Sequence, residues 1–208
     1  MTTNINLEKM QYHLDRCRPL VELLFDSING GLYAAEDALK KISELEARKE
    51  KGESDSTLLP EISALLNNEI AKSVYLTDYV QDTCGYILDQ AKQGLGYTFG
   101  KAGSWPTSLK KNDVPISLII RGGRNQSIHW SEFKFNDPQD PNDRGKIRKA
   151  FKEMYDNAPL SKKQYFDLTN DDPDVSNPKN RNRANHVVRF LEWNSYSDFE
   201  NTLLSFVR

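Results

Sequence analysis

The sequence predicts an all-α bundle with long N-terminal helices and a C-terminal helical extension, organised as a single domain over residues 1–208. Three observations carry that expectation. Apolar residues recur every three or four positions through the N-terminal half, the spacing of one helical face. No run of six or more residues alternates apolar and polar in the manner of a strand. The 9 Tyr, 9 Phe and 3 Trp are too many aromatics for a disordered chain, although only 38% of the residues are hydrophobic.

The first segment carries Ile5, Met10, Leu14, Cys17, Val21, Leu24 and Ile28 at mostly helical spacing. Pro19 lies inside it and is expected to kink or divide the helix, because its ring removes an N–H and crowds the preceding turn. After Gly30-Gly31 the pattern resumes through Leu32, Ala35, Leu39, Ile42 and Leu45, then dissolves in the charged stretch Glu46 to Asp55. A third long helix is expected from about Leu59 to Lys92. Its stripe comprises Ile62, Leu65, Leu66, Ile70, Val74, Tyr79 or Val80, Cys84, Ile87 and Ala91, and Gly94 and Gly96 should end it.

Gly94 to Asp113 holds four glycines, Trp105-Pro106 and three lysines, which is loop chemistry. Asp113 is a candidate cap for a helix beginning near Pro115 and opening with the apolar run Ile116, Leu118, Ile119 and Ile120. A turn-rich segment at Asn136 to Asp143 precedes a short basic helix from Arg144 to Tyr155. Helical segments follow around Val187 to Trp193 and Asp198 to Val207, the latter opened by the capping box Ser197-x-x-Glu200.

Composition narrows the functional classes. No stretch approaches 18 apolar residues in a row, and the N-terminus lacks the basic and apolar regions of a signal peptide, so no membrane association is expected. Two cysteines, Cys17 and Cys84, without C-x-x-C spacing make a reducing cytoplasm the expected address. The net charge of -2 gives no general reason for a polyanionic partner, but residues 144–189 alone carry a net +5, which permits a basic face for nucleic acid.

Several motif matches fail. Gly94-x-Gly96 with Gly100 follows a helix where a dinucleotide fold needs a strand. Asp140 to Phe151 lacks the closing glutamate of a calcium loop. His13 and Cys17 share a helical face, but two ligands do not make a zinc site, and their expected role is packing. No cofactor and no metal are expected.

One constellation survives. Arg124-Asn125-Gln126-Ser127-Ile128-His129 is an R-x-x-x-x-H element with an amide after the arginine and an aliphatic before the histidine, at the end of an apolar run. It resembles the signature of the HEPN superfamily. That resemblance implies a compact helical bundle and a homodimer in which the motifs of two protomers form a composite groove. It further implies metal-independent endoribonuclease activity on single-stranded or loop RNA, in the manner of prokaryotic toxins or antiviral effectors, some of them held by a cognate antitoxin or regulator. Carried over, the catalytic set is Arg124, Asn125 and His129.

The residues support such chemistry on their own terms. Cleaving RNA without a metal requires a group that exchanges protons near neutrality and a cation on the phosphate, and histidine and arginine fit these tasks. On a continuous helix Arg121, Asn125 and His129 form one polar file, whereas Arg124 lies about 140° from His129 and must reach around, or the helix must distort at Gly122-Gly123. The glycine pair would admit another helix or a phosphate close to the backbone.

A second R-x-x-x-x-H runs from Arg181 to His186, and it either joins the first in one site or begins a solvated helix. Arg121, Lys179, Arg181 and Arg183 are the candidate RNA-backbone contacts. Trp130 and Phe133 are candidates for base stacking or, alternatively, for core packing. The rival reading is a helical module without catalysis that binds a protein, nucleotide or RNA partner.

Overall fold

The computed structural model describes residues 2–50, 58–129, 144–163, 165–166 and 182–208, and these are mostly helical, as the sequence pattern predicts. The helices are α1 (Thr2–Glu50), α2 (Leu58–Phe99), α3 (Ile116–His129), α4 (Arg144–Asn157), α5 (Leu160–Lys163), α6 (Ala184–Phe190) and α7 (Tyr196–Ser205). Between α2 and α3 lie the two-residue strands β1 (Lys110–Lys111) and β2 (Val114–Pro115), paired antiparallel. The chain forms two compact units, one of residues Met1–Phe25 with Gln81–Arg208, the other of Asp26–Val80.

In the first unit α1 runs through Pro19 without a break. A proline inside a helix costs about 3 kcal/mol in an isolated setting, so tertiary packing must outweigh it. Met10, Leu14, Cys17 and Val21 stay buried on one face either side of the exposed proline. One turn before it, the Leu14 carbonyl accepts the Tyr196 hydroxyl of α7 at 3.1 Å. Arg18 adds a 2.8 Å bond to Glu200 and lies over the Tyr196 ring.

Nor does α2 stop at Gly94 and Gly96. A β-carbon on Gly94 would sit 2.7 Å from the His13 ring, so this glycine brings α1 and α2 close while the helix continues to Phe99. Gly100, at φ +77°, ends it, with its N–H bonded to the Gly96 carbonyl and its own carbonyl accepting Trp105 Nε1.

Asp113 is not a helix cap. Asn112 and Asp113 both have positive φ, 48° and 62°, and form the two-residue turn between β1 and β2. That is the backbone such a hairpin demands, and Asn and Asp tolerate it. The start of α3 is tied instead by Ile116 N–H to the Leu109 carbonyl and Ser117 Oγ to the Pro106 carbonyl. The cap of α7 is likewise displaced by two residues from the expected box. Ser195 accepts the Asp198 N–H, while the Asp198 carboxylate accepts from Ser195 Oγ and the Asn194 N–H.

The core of this unit gathers around α3, which packs on α4 and α6. Ile119 and Ile120 are fully buried, as are Ile147, Phe151 and Met154 of α4. Phe166 stands edge-on to Phe190 of α6, with ring centres 5.2 Å apart. A β-carbon on Gly122 would lie 2.5 Å from Ala150 Cβ, and one on Gly123 would lie 2.6 Å from Val187 Cγ1. The glycine pair therefore admits helices, not open space for a ligand.

In the second unit, Gly31 of α1 lies against Val80 and Tyr79 of α2, and Ile28, Ala38, Ile62 and Val80 are buried. Leu65, Ile70 and Val74, expected on the buried stripe, are exposed. Two helices alone can cover only a narrow strip of each other.

Alanine at position 122 or 123 is expected to destabilise the protein by about 1–3 kcal/mol through overpacking. Alanine at Gly30, a helical site with nothing within 4 Å of the added carbon, is expected to stabilise it by about 0.5–1 kcal/mol. Urea melts followed by circular dichroism read both signs.

Candidate functional site

Helix α3 is continuous through Gly122-Gly123 to His129, so Arg124 and Asn125 leave it in different directions. Arg124 reaches around. Its Nε donates to Asp89 Oδ1 of α2 at 2.7 Å, and its Nη1 lies 3.4 Å from Asn125 Oδ1. Asn125 is 3% exposed, and the same amide oxygen accepts Lys92 Nζ of α2 at 3.1 Å. The carboxylate of Asp89 is itself held from behind, where Oδ2 accepts Gln93 Nε2 at 2.7 Å. Asp89, Lys92, Arg124 and Asn125 thus form a polar seam between two helices that also meet where Leu88 lies against Gly123.

Close packing makes this seam possible. A β-carbon on Gly85 would lie 2.9 Å from Ser127 Oγ, so α2 and α3 approach closely one turn from Asp89. Ser127 turns its hydroxyl back to the Arg124 carbonyl at 2.7 Å, closing its own polar group within the helix.

Of the other expected site residues, Arg121 is half-buried on α3, four residues before Asn125. His129 is the last residue of α3, and its side chain lies outside the described residues. So do Lys179 and Arg181, and Trp130 and Phe133. Arg183 meets the first motif through its backbone: its N–H donates to Gln126 Oε1 at 2.8 Å, while its guanidinium donates to the Tyr165 carbonyl at 3.1 Å.

The second motif is built into the start of α6. Three side chains satisfy three consecutive N–H groups there: Gln126 that of Arg183, Asn182 that of Ala184, and Gln81 that of Asn185. Asn182 also donates to Asp82 at 3.0 Å. His186 stacks on Tyr165 with ring centres 4.2 Å apart and planes within 11°. Together with Phe166, Arg189 and Phe190 they line a cavity of about 460 Å³. Burial, reinforced by the Arg183 and Arg189 guanidiniums, pushes His186 down to about 4. It is neutral at pH 7 and poorly matched to proton exchange there.

His13 and Cys17 sit on one face of α1, as expected. His13 Nε2 is 2.9 Å from the Gln90 carbonyl, and burial holds its pKa below the usual value. Burial pushes Cys17 up to about 11 and Cys84 up to about 12, so neither is a thiolate nucleophile near neutrality. Among the described residues no three His, Cys, Asp or Glu side chains group as a metal site, and no helix is long and apolar enough to cross a membrane. No family model, curated protein or solved structure matches the chain.

Sequence reasoning reached Arg124 and Asn125 but missed Asp89 and Lys92. Their spacing on one helical face is visible, yet nothing in the sequence ties them to a motif more than 30 residues downstream.

The low pKa of His186 has a definite sign. An unfolded histidine takes up its proton near pH 6.5 and the folded one only near 4, so this contribution to stability is complete above 6.5 and is lost as the pH falls through that interval. The loss is on the order of 3 kcal/mol. His13 acts in the same direction, so the comparison is between wild type and His186→Phe, which keeps a ring against Tyr165. The variant is expected to lose less stability between pH 6.5 and 4 in urea titrations.

Proposed function

We propose that the chain is a HEPN-type endoribonuclease that cleaves single-stranded or loop RNA without a metal. One observation supports this above the others. The arginine and the amide of the motif are fixed by α2 within the last turns of the helix that ends at His129. A cation and an orienting amide held in place before substrate arrives are the parts that stabilise charge on a phosphate cheaply.

In this reading His129 is the proton-transfer residue, taking the 2′-hydroxyl proton in one copy and protonating the departing 5′-oxygen in the other. Arg124 stabilises the phosphate, and Asn125 orients the two. One histidine serves poorly as base and acid at once, so a second copy of the chain supplies the other, making the working form a homodimer. Arg121, Lys179, Arg181 and Arg183 would track the RNA backbone. A role as a toxin or antiviral effector, with a cognate antitoxin or regulator, comes from the resemblance of the motif alone, and a cytoplasmic address from the sparse cysteines Cys17 and Cys84.

A second reading, a helical binding module without catalysis, has its own support. The glycine pair and Gln126 perform packing and capping tasks that the bundle needs with or without chemistry.

The decisive assay incubates wild type, His129→Ala and Arg124→Ala with a mixed RNA pool in EDTA, reading fragment ends and sedimentation together. The expected outcome is fragments with 2′,3′-cyclic phosphate ends from a wild-type dimer, reduced at least about 100-fold in each folded variant. A folded wild type that binds RNA or protein without turnover decides for the module.

A further inference from the structure

We infer that Asp89 is a positioning residue for the guanidinium of Arg124, an inference that rests on the ribonuclease reading above. Asp89 belongs to α2, 35 residues before the motif, and its contact with Arg124 is the only ion pair that the described residues offer that side chain. Both partners are about a quarter exposed, at 24% each, so the pair is shielded enough to hold its geometry and open enough for a phosphate to reach it.

The geometry is specific to the task. A guanidinium is a rigid plane, so one contact at Nε and a second at Nη1 set its orientation. Asp89 takes Nε at 2.7 Å, Nη1 faces Asn125 Oδ1 at 3.4 Å, and among the described residues Nη2 takes no partner. The donors left over are those at the end of the fork that suits a phosphate oxygen. The other carboxylate oxygen accepts Gln93 Nε2 at 2.7 Å from the next turn of α2, which favours the orientation that faces the arginine. Gln93, Asp89 and Arg124 therefore make a relay that sets the arginine before substrate binds. Freezing a long, rotamer-rich side chain in advance removes an ordering step that would otherwise accompany the transition state.

This role differs from that of a packing contact. A residue that only braces the bundle lowers the folded fraction by the same factor whichever residue stands at position 124. A residue that works through Arg124 has nothing left to do once Arg124 is gone. The distinction calls for a double-mutant cycle on the full chain, with kcat and KM measured on an oligoribonucleotide that the wild type cleaves.

Asp89→Ala is expected to lower kcat by about 10- to 100-fold with KM changed by less than about 3-fold. The near-isosteric Asp89→Asn, whose amide oxygen still accepts from Nε, is expected to retain more activity and carries the test if the alanine variant does not fold. Asp89→Ala added to Arg124→Ala is expected to change kcat by no more than about 2-fold. Losses that multiply across the cycle overturn the inference. So does an alanine variant faster than wild type, which would make Asp89 a latch that withholds the arginine. A wild type that cleaves nothing overturns the ribonuclease reading and this inference with it, whereas a cleaving wild type with an additive cycle overturns the inference alone.

Discussion

The absence of side chains at Gly122 and Gly123 lets α3 lie against α4 on one side and against α6 and Leu88 of α2 on others. Few helix positions can be shared by three neighbours, because a single methyl group there would overlap Ala150 or Val187. Two glycines in a helix interior lower its intrinsic stability by about 1 kcal/mol each, and dispersion contacts across the close interfaces offset that loss. The arrangement also sets the terms for everything downstream on the helix.

Once α3 is drawn into the core, the polar residues that follow the glycines go with it. Asn125, Gln126 and Ser127 are all buried, and buried polar groups must find partners. Each turns a different way. Asn125 meets Lys92 and Arg124, Gln126 takes the Arg183 N–H, and Ser127 bonds back to its own helix. The same requirement shapes α6, whose opening N–H groups would be orphaned in the interior without Gln81, Gln126 and Asn182. Two R-x-x-x-x-H segments that look alike in sequence are therefore used differently. In the second, asparagine serves a cap and the histidine is held neutral against a tyrosine.

Local rules misjudged several helix boundaries for one reason. Pro19 sits on the exposed side of a helix whose other face is buried, so the chain keeps its course past a residue that would break an isolated helix. Gly94 reads as a stop but serves as the place where His13 crosses. Asp113 reads as a cap but is taken by a tight turn, and Ser197 is displaced as cap by Ser195. In each case the residue type was read correctly as special, and the neighbour that uses it came from elsewhere in the chain.

By itself the sequence determined the helical class, the buried stripe through Met10, Leu14, Cys17 and Val21, and the conspicuous cluster at Arg124 and Asn125, because periodicity and residue chemistry are local properties. It also showed that Arg124 and Asn125 would leave a continuous helix on different sides. Only the tertiary structure decided what stands there to receive them. Asp89 and Lys92 meet the motif across more than 30 residues of chain because Gly85 and Gly123 let α2 and α3 close to contact distance, and a pairing of that kind leaves no periodic trace in the sequence.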